Sequence, residues 1–489
     1  MRLPWKSHGD GAWAAILGYG YFFGVLSTTL LMRLWDQVGL DQSFLGIGAT
    51  LSLVTAVGWW VAGTATASVA VRSQAGVACF GWAKLLVVLL AGVLALRLAS
   101  IVAEVVWRPL YPWDAWWHWA AKAKVWVELR DLVAFVPPQQ WLGQTPGTQP
   151  VYTIDAWNYP PTVPLIQTWM GLALGRWDDS LINLPWVQCL VAMALALYGQ
   201  SRQWGASALQ ALVFVYLLAS MPMVDTHAAL AGYADIWLGA FYLLAFMSFS
   251  QWLRSGERSQ LILAAVFAAG CTQIKVPGLV WSLTFLPALG ATLLSRRWLA
   301  AISAVTLVAV VVTVTVGGFS VELPGVGDFK LTAGEVVIPY LGRYVFDYHP
   351  AWRPLGENLF VLANWHLMVF MVLAQFVLAL PRLLAKPEYR VMTLPIATGF
   401  LFLAIVFFFT DEYRYAADYS IVNRAILHMV PALVFFALVL YRGLLEPKGP
   451  LANTTCPSDD PAQVLAPGRE APQSRQPNKH YAPTAREQR

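Results

Sequence analysis

The stretch WRPLYPWDAWWHWAAKAKVW, residues 107–126, is a polar and aromatic interruption in a chain that is otherwise close to continuous apolar helix. Pro112 fits the first turn of a helix, and Asp114 just behind it lies where the partial positive charge of a helix N-terminus favours a carboxylate. At about 3.6 residues per turn, Asp114, His118 and Lys122 share one face, with Trp116, Trp119, Ala123 and Trp126 roughly opposite. That pattern predicts a helix lying flat at a membrane surface, rings down and charges up. The tryptophans taken alone also read as a membrane aromatic belt. Asp114 is more telling, because no basic residue stands one turn before it to make a routine surface pair.

The composition sets the class. Hydrophobic residues make up 58% of the chain and charged residues 12%, with a mean hydropathy of +0.56. A typical soluble domain is about one quarter charged, so this is an integral membrane protein and not a soluble enzyme. The first apolar run, Gly11 to Met32, is long enough to span and has no small-residue cleavage site behind it, so it reads as a retained helix. The net charge of +5 is spread over loops and tail and argues for topology, not for nucleic acid. Cys79, Cys189, Cys271 and Cys456 are scattered without paired spacing, which predicts neither a disulfide framework nor a zinc site.

Three apolar segments, near 11–33, 44–63 and 81–103, form an N-terminal group over residues 1–103. Arg2 and Lys6 precede the first and Arg72 separates the second from the third, which puts the N-terminus on the cytoplasmic side. Residues 104–183 then read as a long external loop with juxtamembrane helices. Its apolar piece, Pro164 to Gly175, is short for a crossing and is read as juxtamembrane or re-entrant. Residues 184–443 supply further segments near 184–201, 206–224, 232–252, 259–275, 277–295, 299–319, 355–380, 393–410 and 421–443, with an external loop at 320–354. The expectation is an all-α integral membrane fold of about twelve transmembrane helices. Residues 444–489, rich in Pro, Gln, Ser and charge, are expected to be a disordered cytoplasmic tail, which would leave the sequon at Asn453 unmodified.

This topology gathers the unusual ionisable groups on the external face: Asp114, His118 and Lys122, Asp155 and Tyr159, Asp235, Lys275, and Arg343 and Arg424 in later loops. Ionisable groups at helix ends are expensive unless they line a wet cavity, so together they suggest one polar site open to the outside. Singly each has a plain reading. Asp235 could be a helix N-cap, Lys275 could snorkel, Arg424 could anchor the last span, and His428 could be a packing residue.

Five stretches taken in order, WDAWWHWAAKAK (113–124), YPPTVPL (159–165), GYAD (232–235), TQIKVPGL (272–279) and NRAILHMVP (423–431), resemble the bacterial membrane glycosyltransferases of the GT-C class. The likeness is to the branch related to protein O-mannosyltransferases and lipid A aminoarabinose transferases, and it covers roughly residues 80–440. It implies a multi-span enzyme of the plasma (inner) membrane that takes a sugar from a polyprenyl-phosphate donor. The sugar would pass to a glycan, lipid or protein acceptor of the cell envelope, at the external or periplasmic face. The essential carboxylate of the class maps onto Asp114 and a later acidic position onto Asp235, while Lys275, Arg343 or Arg424 would meet the donor phosphate. Where members often carry Lys-Asn-Glu-Gly, this chain has Lys275, Val276, Pro277 and Gly278, and the missing acid leaves a divalent metal open.

The chemistry agrees with the residues. Lipid phosphate is a good leaving group, so such a transferase needs a base for the acceptor proton, cations for the phosphate and aromatic surface for the sugar. Asp114 would be the base, Lys275 and Arg424 the clamp, and Trp116, Trp117 or Tyr159 the platform, with His118, Lys122 and Asp235 beside the sugar or acceptor. The competing readings are a secondary transporter, a polysaccharide polymerase or ligase, and a non-catalytic envelope scaffold. No internal repeat divides the chain into the matching halves usual in transporters.

Overall fold

Apolar runs of about 20 residues become helices where water is absent, because only there does each backbone group find its partner within the segment. The computed structural model describes residues 10–63, 81–145, 151–323, 327–339 and 341–445. The expectations for Arg2, Lys6, Arg72, Cys79, Cys456 and the tail fall outside the described residues.

The first part holds α1 (Ala12–Gln37), α2 (Phe44–Gly63) and α3 (Gly81–Trp107), then α4 (Ala120–Leu129), α5 (Pro138–Leu142) and α6 (Thr162–Leu174). The middle holds α7 (Leu184–Gln203), α8 (Ala208–Ser220), α9 (Pro222–Ala229), α10 (Asp235–Ser255), α11 (Arg258–Ile274), α12 (Gly278–Leu283), α13 (Leu286–Leu293) and α14 (Arg296–Thr315). After a small sheet come α15 (Trp352–Phe360), α16 (Met368–Ala385), α17 (Pro387–Phe409), α18 (Tyr413–Ala417), α19 (Val422–Leu427) and α20 (Val430–Leu445). Among the described residues α1, α2, α3, α7, α10, α14, α16 and α17 are long and apolar enough to cross a membrane, eight in all, or nine if the bent α8–α9 pair is one span. The chain has the make-up of a membrane-embedded, mostly helical protein.

Helix α10 is apolar all round its circumference and lies at the centre, 83% buried along its apolar window where that of α14 is 0%. It packs against α7, α11, α17 and α20, and its N-terminal residue, Asp235, is completely buried. The central helix therefore delivers a carboxylate into the interior at one end of the bundle.

Several segments read as single helices are broken, each at an identifiable residue. Pro222 has no N–H to continue α8, and the chain bends by 65° into α9. Pro287 and Pro431 lie just inside α13 and α20, so 277–295 and 421–443 each fold as two pieces. The segment read as 355–380 is the amphipathic α15, a turn in which Ala363 and His366 have positive φ, and then α16.

The loop expected at 320–354 contains the chain's one sheet among the described residues. It is an antiparallel meander of β1 (Phe319–Leu323), β2 (Gly327–Leu331), β3 (Glu335–Ile338) and β4 (Gly342–Val345), with Val321 opposite Phe329 and Val337 opposite Arg343. Strand β3 reads Glu335, Val336, Val337, Ile338 and carries no polar–apolar alternation, so only its pairing with β2 and β4 shows it as a strand. The segment after β4 is tied to the end of α17, where Asp347 and His349 donate their backbone N–H to the carbonyls of Phe409 and Phe408 at 3.1 and 2.8 Å. The sheet thus stands at the end of the bundle that carries Asp235.

Candidate active site

Asp114 enters the site through a short irregular helix. The carbonyl of Pro112 accepts the N–H of Ala115 at 3.0 Å, and residues Ala115–Trp119 then form a π turn in which Ala120 donates to the carbonyl five residues back. A π turn inserts one extra residue per turn and rotates everything behind it. Asp114 and Lys122 consequently part company, correcting the single polar face expected from regular helical spacing.

Lys122 is 2% exposed, and its ammonium donates to the carbonyls of Ala156 at 2.6 Å and Trp157 at 3.1 Å. Burial pushes it down to about 8. It braces the 155–160 turn. Trp119, Ala123 and Trp126 are buried as well, so α4 packs into the protein against α6 and is not a free helix on the membrane surface. Trp116 and Trp117 remain 40% exposed, interlocked with Trp113 at centroid distances of 4.7 and 5.1 Å.

Around Asp235 the sequence candidates converge. One carboxylate oxygen accepts from Nζ of Lys275 at 2.9 Å and from Nε2 of His428 at 2.8 Å. The other accepts from Nε and Nη2 of Arg424 at 3.0 and 2.7 Å. Nη2 of Arg424 also bonds Asp114, and the guanidinium lies 4.8 Å from the centroid of the Tyr233 ring. Asp235 makes no side-chain cap, Lys275 is directed inward, and Arg424 bridges two acids instead of anchoring a helix end. Two carboxylates and two cations balance, as buried charges must.

His428 belongs to this cluster too. The indole N–H of Trp281 donates to its Nδ1 at 3.0 Å. An indole nitrogen is only a donor, so Nδ1 must be bare and Nε2 carries the hydrogen given to Asp235. Trp281 had no sequence signal, being one more tryptophan in an apolar run, whereas Tyr233 sat visibly beside Asp235.

Two glycines let these elements meet. Gly232 has φ +118°, and a Cβ there would stand 2.3 Å from Cβ of Ala115, so its absence allows the loop before α10 to press on the Asp114 helix. A Cβ on Gly278 would lie 1.9 Å from the carbonyl oxygen of Cys271, so only glycine permits the reversal that presents Lys275.

No family model, curated protein or solved structure matches this chain. What it can do is therefore read from the geometry.

Unused bonding capacity marks where a substrate would fit. Arg424 has five N–H groups, and among the described residues the two on Nη1 have no partner, while Lys275 uses one of three. Asp114 offers its second oxygen, Oδ1, and Nδ1 of His118 is buried without a partner. Burial lowers the His118 pKa from its ordinary value, with Asp114 and Asp155 pulling it back up. The Tyr159 ring is 6.1 Å from that of His118, and burial raises its phenol. Arg343 is not brought in. It lies on β4, 67% exposed along its side chain, and bonds Glu335 at 2.6 Å. Among the described residues no three His, Cys, Asp or Glu side chains are grouped to hold a metal ion.

Proposed function

We propose that the protein is a GT-C-like glycosyltransferase that moves a sugar from a polyprenyl-phosphate donor to an envelope acceptor at the external membrane face. The observation that carries this reading is the Asp114–Arg424–Asp235–Lys275 cluster, in which a carboxylate with one oxygen uncommitted stands beside cationic N–H groups with no partner among the described residues. The first suits an acceptor hydroxyl and the second a departing phosphate. The eight long helices, taken with α8–α9, α11, α12–α13 and α19–α20, come to about twelve crossings. Both termini are then cytoplasmic and the cluster external.

In this mechanism the acceptor oxygen attacks the anomeric carbon while Asp114 takes its proton. The bond from that carbon to the phosphate oxygen breaks, and the electron pair leaves with the lipid phosphate. Arg424 and Lys275 receive the growing negative charge. Asp235 holds both cations in place and touches no reacting atom. Attack opposite the leaving group inverts the anomeric centre, and retention seen by NMR of the product would remove Asp114 as a simple base.

The test is donor turnover in liposomes. Purified protein is given a panel of polyprenyl-phosphate sugars and a crude envelope acceptor, and lipid phosphate release is followed by mass spectrometry. Release by the wild type and not by Asp114→Asn is the expected result. A secondary transporter draws support from the 65° break between α8 and α9 beside the Arg97–Asp225 ion pair of 3.1 Å, since transporters bind substrate at broken helices. Solute uptake into vesicles holding no polyprenyl donor would favour that reading instead.

A further inference from the structure

A cavity of about 440 Å³ runs along α1 between α6 and α7, lined by Gly20, Gly24, Thr28, Trp169, Met170 and Gln188 among others. Gly24 and Gln188 are exposed, so the cavity opens sideways, towards the lipid rather than the bundle interior. Its walls are almost wholly apolar. The Tyr21 hydroxyl and Gln188, the main polar groups, bond each other at 3.1 Å.

At the end nearer the charged cluster stands a cation that the proposed mechanism does not use. Arg33 lies one helical turn beyond Thr29 on α1, and Thr162 lies one turn before Ile166 on α6, Thr29 and Ile166 both lining the cavity. Nη2 of Arg33 donates to the Thr162 hydroxyl and Nη1 to the Gln273 side chain, each at 2.9 Å, while its Nε is buried without a partner. Among the described residues no carboxylate pairs with it. Gln273 is two residues before Lys275, so Arg33 bonds the segment of chain that leads into the charged cluster. A guanidinium without a counter-ion at the edge of an apolar region is costly and favours an anion. An apolar trough ending at such a group matches a ligand with one hydrocarbon chain and a phosphate.

We propose that α1, α6 and α7 form a seat for a long-chain prenyl phosphate, with the chain in the cavity and the phosphate on Arg33. The choice of a prenyl chain rests on the donor class proposed above, and the seat gives that donor a docking place one step from Lys275. The helix pair α1–α6 reads both halves of the ligand, the glycine side of α1 the chain and Arg33 the head.

The test is binding to the purified full-length protein in nanodiscs, using a long-chain polyprenyl phosphate, the matching polyprenol, phosphatidylglycerol and inorganic phosphate as separate probes. Arg33→Gln is expected to weaken polyprenyl phosphate by about tenfold or more, the scale of one hydrogen bond to a charged group, and to leave polyprenol binding as it was. Gly24→Leu is expected to weaken both lipids. Gly24 lines the cavity and nothing lies within 4 Å of a Cβ there, so a side chain at this position starts without a clash, and leucine is the better helix former. Millimolar inorganic phosphate is expected not to compete. Unchanged affinity in either variant, or equal binding of phosphatidylglycerol, would overturn the seat. Variant-dependent binding without any sugar transfer would keep the seat and remove the transferase reading, and transfer by a protein whose lipid affinity ignores both substitutions would do the reverse.

Discussion

The indole of Trp281 fixes the tautomer of His428 across 3.0 Å, and through it the buried carboxylate of Asp235 is held at a distance of 2.8 Å. Replacing Trp281 by Phe keeps the ring and removes the donor. His428 is then free to carry its hydrogen on Nδ1, which would turn a bare Nε2 lone pair towards Asp235. The expected outcome is a loss of about 1–3 kcal/mol, the cost of an unsatisfied buried group. It is read as a lower melting temperature in detergent, together with a fall in turnover. His428→Gln, whose amide can still donate to Asp235, should lose less than His428→Ala.

The two acids should separate chemistry from folding. Asp114 makes one bond at the rim of the cluster, and Arg424 keeps Asp235 when that bond goes. Asp114→Asn is therefore expected to lose clearly less stability than Asp235→Asn while turnover falls by about 10²–10⁴, the range for a lost general base. Asp235 is fully buried between two cations. Asp235→Asn leaves both without a full counter-charge and should cost about 3–5 kcal/mol. Folded yield measured by size-exclusion chromatography would show it. Equal yields for the two variants would contradict this division of roles.

The residues of the cluster were legible in the sequence because ionisable side chains in an apolar chain have few other reasons to exist. Asp114, Asp235, Lys275 and Arg424 were all marked by that logic and meet within hydrogen-bonding distance. Lys122 was marked by the same logic and does not join them, because a π turn cannot be seen in helical spacing. Arg343 was placed by its loop, and only the pairing of β3 with β4 shows that Glu335 occupies it. Helix breaks at Pro222, Pro287 and Pro431 were written in the chain, yet an apolar run that spans on length alone hides them. Trp281 lay beyond reach, since its role depends on a partner nearly 150 residues away.

Gly232 offers a test of how the Asp114 helix is seated. With φ at +118° and Ala115 in the way, Gly232→Val suffers both strain and collision. A loss on the order of 1–3 kcal/mol from the backbone alone is expected, with more from the contact. The double variant Gly232→Ala with Ala115→Gly removes the collision and keeps the strain, so it should recover part of the turnover lost in Gly232→Ala. No recovery would mean that the backbone conformation, not the contact, seats Asp114.

Lys122 gives a signal in pH. Its folded pKa, about 8, lies below the ordinary lysine value of 10.5, so between those two points the unfolded chain binds more protons than the folded one. Stability contributed by this group consequently rises with pH through that window and is lost as pH falls towards 8; below it the contribution stays flat. At about 1.4 kcal/mol per unit the full rise is on the order of 3 kcal/mol. Lys122→Met strips the carbonyls of Ala156 and Trp157 of their donor, an offset that does not depend on pH, and it removes the slope. Chemical denaturation of wild type and variant at several pH values from 7.5 to 10.5 would separate the offset from the slope, because other groups titrate alike in both proteins. Parallel curves would mean that Lys122 keeps an ordinary proton affinity and that its two carbonyl bonds outweigh burial.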